Sequence, residues 1–193
     1  IEMYGGGIVD GTYVTAAGAR IDLDGPTLIQ ATVGKPVISG AGATRVVSGT
    51  ITLKDEVPNL VLAGGNVALT PDFQGTGAIQ SLTLDGANLV GTNVVKGTLV
   101  WNSGRISGQL TVAAGGLLSI ESGSAKNLSA VLINQGTVKH SGGDWILENT
   151  VENQGVVEVA GNLRIYSQFQ QVKKMVNKGV FRKTVGTGTL NVG

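Results

Sequence analysis

Asn134-Gln135-Gly136-Thr137-Val138, Asn153-Gln154-Gly155-Val156-Val157 and Asn177-Lys178-Gly179-Val180-Phe181 are three versions of one phrase. Upstream of each lie further matched pairs, each led by an apolar residue: Leu132-Ile133, Val151-Glu152 and Met175-Val176. Self-similarity at a near-constant period is the mark of a stacked architecture, in which each repeat buries its apolar side only against the repeats above and below it. The first two phrases are 19 residues apart and the next two are 24 apart.

A second phrase follows each of the three, a glycine and then alternating apolar residues: Gly143 with Trp145 and Leu147, Gly161 with Leu163 and Ile165, Gly188 with Leu190 and Val192. It recurs earlier without the asparagine, at Gly49, Gly65, Gly97, Gly108 and Gly116. Alternation with period two places one side of a strand in a core and the other in water, while glycine supplies the positive φ that tight corners require. Strands of about five residues are expected between such corners. The chain therefore reads as all-β, a single-stranded parallel β-helix (β-solenoid) over residues 1–193, with coils of about 19–25 residues. An antiparallel sandwich is the rival, because Asn-x-Gly also suits hairpins. The solenoid is preferred because whole phrases repeat, not turns alone.

Composition agrees. The chain has 31 glycines, 4 prolines, 4% aromatic residues and a formal net charge of +1. No strict third-position glycine exists, which excludes collagen, and a hydrophobic fraction of 41% with so little net charge disfavours disorder. With no cysteine, disulfides and thiolate metal sites are excluded. No apolar run is long enough to span a bilayer as a helix, and Ile1-Glu2-Met3-Tyr4 is unlike a signal sequence. The closing phrase Thr187 to Gly193 carries no polar cap, from which a segment of a longer chain is expected.

From Gly97 onward, Gly-Thr-Leu-Val-Trp-Asn-Ser-Gly-Arg-Ile-Ser-Gly-Gln-Leu-Thr-Val, then Ile-Asn-Gln-Gly-Thr-Val and Val-Asn-Lys-Gly-Val-Phe-Arg-Lys-Thr-Val-Gly-Thr-Gly-Thr-Leu, the chain resembles the glycine-rich repeats of large bacterial surface and secreted proteins. These are of the adhesin and autotransporter-passenger type. The resemblance covers about half the chain well, the N-terminal half loosely, and its motifs are structural. It implies a right-handed parallel β-helix and an extracellular or cell-surface location.

Asn134, Asn153 and Asn177, at equivalent corners, are expected to stack as a hydrogen-bonded amide ladder. Trp101 shares a strand side with Leu99, and Trp145 with Leu147, so both belong in the core. If Leu163 and Ile165 point inward, Arg164 and Tyr166 point outward. Asp22 and Asp24 fall on one strand side before the turn pair Gly25-Pro26; they lack the further ligands of a calcium site and read as a solvated face. His140 has no evident nucleophile or carboxylate partner and is read as exposed.

After Glu158 no acidic residue follows, whereas Arg164, Lys173, Lys174, Lys178, Arg182 and Lys183 make the last coils basic. With Tyr166 they form the candidate binding set, suited to glycans. Neither a recognition helix nor interleaved aromatics accompany them, so nucleic acid is not an expected partner. The Gln-rich insertion from Tyr166 to Val176 is the main departure from the repeat, and loops on a regular scaffold are where function tends to sit.

Three classes of function compete. A structural or adhesive surface segment uses rigid length. A polysaccharide lyase or hydrolase needs carboxylates converging on neighbouring coils, whereas here they are scattered. An ice-binding face needs a regular threonine array, and the pairs Thr50 with Thr52 and Thr187 with Thr189 do not recur coil after coil. The first class is preferred: a non-enzymatic segment with no metal or cofactor, whose partners are extracellular glycans or neighbouring domains of the same longer chain.

Overall fold

The computed structural model describes residues 1–4, 9–24, 36–167 and 175–192. Every strand pairing in it is parallel. The chain is a β-solenoid of about seven turns, and the antiparallel sandwich is excluded. A single turn of 3-10 helix, Phe73–Gly75, interrupts the strands and buries Phe73.

The later coils have three faces, and the pairing registers define them. On the first face Leu99, Leu118, Val138 and Val157 stack in one inward column, with Trp101, Ile120, His140 and Val159 in the next. On the second face Ile106, Leu128 and Leu147 stack. The third face stacks Leu110, Leu132, Val151 and Met175, then Val112, Asn134, Asn153 and Asn177 at its end. Alternation produces this directly, as Lys126–Asn134 shows by burying every second residue from Lys126 to Asn134. The inward residues form one continuous core that includes both tryptophans, Trp101 and Trp145, fully buried.

Strand lengths depart from the expected five residues. Ile79–Leu89 runs for 11 residues and Thr92–Val112 for 21, passing around corners with extended pairing maintained on both sides. Glycines at the bends allow this: Gly104 and Gly108 have φ of 96° and 89°. The glycine of the Asn-x-Gly phrase serves another purpose. A Cβ on Gly155 would lie 2.2 Å from the carbonyl oxygen of Gly136, and one on Gly179 equally close to that of Gly155. Close backbone approach between coils, rather than positive φ, demands glycine there.

The asparagines do form a ladder. Asn134 Nδ2 donates to Asn153 Oδ1 at 2.7 Å and to Val156 O at 3.0 Å, while its Oδ1 accepts from the Gly136 N–H at 3.2 Å. Asn153 Nδ2 repeats the pattern to Asn177 Oδ1 at 2.6 Å and Val180 O at 3.1 Å. Asn134 and Asn153 are fully buried, so each amide replaces the water it loses with protein partners. Asn177, at the last rung, is exposed. The 24-residue interval to it leaves the register intact, which confines the insertion to the stretch between Arg164–Tyr166 and Met175–Asn177. Residues 168–174 of that insertion, including Lys173 and Lys174, and the turn Gly25-Pro26 lie outside the described residues.

Two sequence expectations are corrected. His140 is fully buried, because it alternates with Val138 and falls in the column of Ile120 and Val159. Asp22 and Asp24 share the outward side, but Asp22 is only 5% exposed. Its carboxylate accepts from Arg45 Nε at 2.9 Å and Nη2 at 3.0 Å, with Arg20 Nε 3.0 Å away. The hydrogen bonds from Arg45 hold the Asp22 carboxyl below its usual range. Asp24 accepts from the Ser48 hydroxyl. The pair ties one coil to the next instead of facing bulk water.

Candidate functional site

The outward side of the second face carries the candidate surface. Ile165 is fully buried, which turns Arg164 and Tyr166 outward on either side of it. Arg164 clasps Asp144 of the preceding coil, with Nε donating to Oδ1 at 3.1 Å and Nη2 to Oδ2. Its Cζ lies 5.3 Å from the centre of the Tyr166 ring, a cation–π contact. The hydrogen bond to Asp144 raises the Arg164 pKa above its ordinary value, so the guanidinium is a fixed and largely neutralised charge.

Further along the same face, outward polar side chains bond from coil to coil. Asn88 Nδ2 donates to Asn66 Oδ1 at 2.8 Å, and the Ser107 hydroxyl to Asn88 Oδ1 at 2.7 Å. Arg105 donates to both the Ser129 hydroxyl oxygen and Glu148, while Ser129 also donates to Glu148. Successive rungs stand about 4.8 Å apart. Amides, hydroxyls and an ion pair at that spacing suit a ligand rich in hydroxyl groups, and Tyr166 lies on the same face beyond Ile146. Sequence reasoning missed this strip because its members are about one coil apart, and the glycine-led phrase recurs in the N-terminal half at uneven intervals that do not give the coil length.

The described basic residues are not gathered into one patch. Arg182 stands on the first face, where Nη2 donates to Glu158 Oε2 at 2.8 Å; that bond holds the Glu158 carboxyl below its usual range. Lys183 follows the inward column of Val159, and its ammonium donates to Asn162 Oδ1 at 2.8 Å and to the carbonyls of Gly186, at 2.9 Å, and Gly188. Lys178 is exposed at the corner between the third and first faces. Among the described members of the candidate set, only Arg164 and Tyr166 are brought together.

Threonines do not form an array among the described residues. Thr50 and Thr52 stack on Asn66 and Ala68 in the next coil. Nor do three His, Cys, Asp or Glu side chains come together there as a metal-binding group. No helix of the described residues is long and apolar enough to cross a membrane.

Among the described residues, two ionisable groups on the inward side are fully buried. Lys126 is fully buried, its Nζ donating to Ser122 O and Gly142 O, each at 2.9 Å. Burial pushes its pKa down. His140 Nε2 stands 2.8 Å from Gly143 O, and its ring meets Trp145 edge-on with centres 5.9 Å apart. Burial pushes the His140 pKa down as well, reinforced by the Lys126 charge. Both were legible in principle, since each occupies an inward position of an alternating strand.

Comparison with protein-family models, curated proteins and solved structures gives no match to any of them.

Proposed function

We propose that this chain is a non-enzymatic spacer and presenting segment of an extracellular or cell-surface protein, with carbohydrate contact along the outer second face. The observation that carries the reading is the use made of outward charge. Asp22 with Arg45, Arg105 with Glu148, Asp144 with Arg164 and Glu158 with Arg182 each bind one coil to another. Carboxylates engaged in this way stiffen a rod, whereas acid–base catalysis on a glycan requires two of them facing one bond. The fold by itself names no activity.

Because Arg164 and Arg182 are both paired, the contact favours neutral glycans over acidic ones, and it depends only weakly on salt. The test is a panel of neutral and acidic polysaccharides assayed for both binding and cleavage. Binding without turnover, unchanged by added salt and reduced at least fivefold by Tyr166→Ala, is the expected result. Turnover of any member overturns the non-enzymatic reading. Binding confined to acidic members and abolished by salt moves the contact to unpaired cations such as Lys178.

A further inference from the structure

The corner Ser141 to Asp144 is gripped from inside the solenoid by two ionisable side chains. Lys126 binds the Gly142 carbonyl and His140 the Gly143 carbonyl, at 2.9 and 2.8 Å. Opposite a carbonyl, His140 Nε2 must be the N–H donor, so the neutral ring carries its proton there. A second proton must enter at Nδ1, which is buried and has no hydrogen-bond partner among the described residues. Ile120 lies against the ring from the preceding coil, Val159 from the following one, and Trp145 from the next face. The backbone of Gly143 and Gly142 favours the charged ring, but burial outweighs it. The charged groups acting on His140 are Lys126, which opposes protonation, and Asp144, which favours it to a smaller degree. Glu121 acts in turn on Lys126.

The outer side of the same corner carries Asp144, which holds Arg164 against Tyr166. Inside and outside are therefore joined through four residues of backbone.

The geometry points to an acid-opened latch: uptake of one proton at His140 Nδ1, beside the Lys126 ammonium, unseats the corner Ser141 to Asp144 and releases Arg164 from Asp144. Between its column neighbours Ile120 and Val159, an aliphatic residue would fill the position without any such sensitivity. The direction of the His140 shift agrees. Since the native ring resists protonation more than an unfolded one, the stabilisation is complete above about pH 6.5 and is lost as pH falls through the lower native value. The latch stands whether or not the outer face binds glycans, because its readouts lie in the corner itself.

His140 is the one histidine of the chain, so imidazole nitrogen signals of the full-length protein need no assignment. Titration from pH 7.5 to 4.5 is followed by these signals and by hydrogen exchange of the peptide spanning residues 137–150, corrected for intrinsic rates. The expected result is a ring that stays neutral, with its proton on Nε2, through the ordinary histidine range. Its protonation then coincides with at least tenfold faster exchange at residues 141–145, while residues 117–120 stay protected. His140→Gln, which keeps a donor but does not titrate, retains protection at low pH. Should that variant fail to fold, the coincidence of the two wild-type titrations decides. Protonation at the ordinary value with the corner still protected overturns the latch, as does corner exchange that does not change with pH.

Discussion

The coils before about residue 90 and those after it solve the same stacking problem with different chemistry. The early strands Thr12–Val14, Val37–Ser39 and Leu60–Leu62 are three residues each, and Thr12–Val14 pairs with Val37–Ser39 in a sheet of its own. Their ties between coils differ from one pair of coils to the next, among them an ion pair, Asp22 with Arg45, and the buried hydroxyl pair Thr15 and Thr44, 3.2 Å apart. In the later coils the ties repeat: one amide ladder, one column of close-packed glycines and one register carry through from Asn134 to Asn177. A repeating internal bond requires every coil to place the same corner in the same place, so it enforces a period. A single bond between two coils makes no such demand. The insertion makes the same point, since the second and third phrases lie five residues further apart in sequence than the first and second while the ladder keeps its place.

The comparison can be broken most severely at the glycine column. Gly155→Ala drives a methyl group into the Gly136 carbonyl oxygen and is expected to destabilise the protein by about 3 kcal/mol. Gly11→Ala in the early coils meets no atom within 4 Å and carries only the strain of a φ of 85°, with an expected cost of about 1 kcal/mol. Urea unfolding of both variants measures the contrast, and equal losses would dismiss close approach as the source of regularity.

Next is the ladder itself. Asn153→Ala leaves Asn134 Nδ2 and Asn177 Oδ1 without the partner between them, at an expected cost of about 2 kcal/mol. Asn66→Ala removes a comparable amide bond that lies on the exposed surface, and less than about 0.5 kcal/mol is expected. If the two losses matched by urea unfolding, burial of the ladder would be irrelevant to the order of the later coils.

Acid should separate the two halves as well. The later coils lose stability as pH falls below about 6.5, where His140 begins to oppose folding, by at most about 1.4 kcal/mol per pH unit. The carboxyl of Asp22 is held below its ordinary value by Arg45, so its contribution to the early coils is retained until pH falls below about 3.8. Limited proteolysis across this range, with cleavage sites mapped, is expected to reach the later coils first. Early cleavage confined to residues before 90 would reverse the assignment.

The smallest effect is expected at the outer ion pairs. Arg182→Ala breaks the exposed contact with Glu158 and should change the thermal midpoint by no more than corresponds to about 0.5 kcal/mol. A larger loss would show that the surface ties, rather than the core and ladder, set the stability of the last coils.

The legibility of these features in the sequence follows from how far apart the interacting residues lie. The ladder was readable because its three members carry the same phrase, and the burial of Trp101 and Trp145 because alternation is a local property. His140 and Lys126 were equally local signals, since His140 follows Val138 by two residues and Lys126 precedes Leu128 by two. Polarity masked them: a charged or ionisable residue is read as outward by default, and only neighbouring carbonyls make its burial tolerable. The Asn66, Asn88 and Ser107 strip had no such local signal. Its members are 22 and 19 residues apart, and the glycine-led phrases there recur at other intervals.

The period of the later coils and the inward alternation of apolar residues were therefore legible in the amino-acid sequence alone, because each depends on short-range pattern repeated many times, whereas parallel stacking was only preferred there over an antiparallel sandwich. Which polar groups meet was decided only by the folded coils. Stacking sets residues some 20 positions apart against one another, and whether a lysine finds a carbonyl or an arginine finds a carboxylate depends on the length of every intervening corner. The surface that Arg164 and Tyr166 share, the neutralisation of Arg164 by Asp144, and the grip of Lys126 and His140 on one corner all arise at that level.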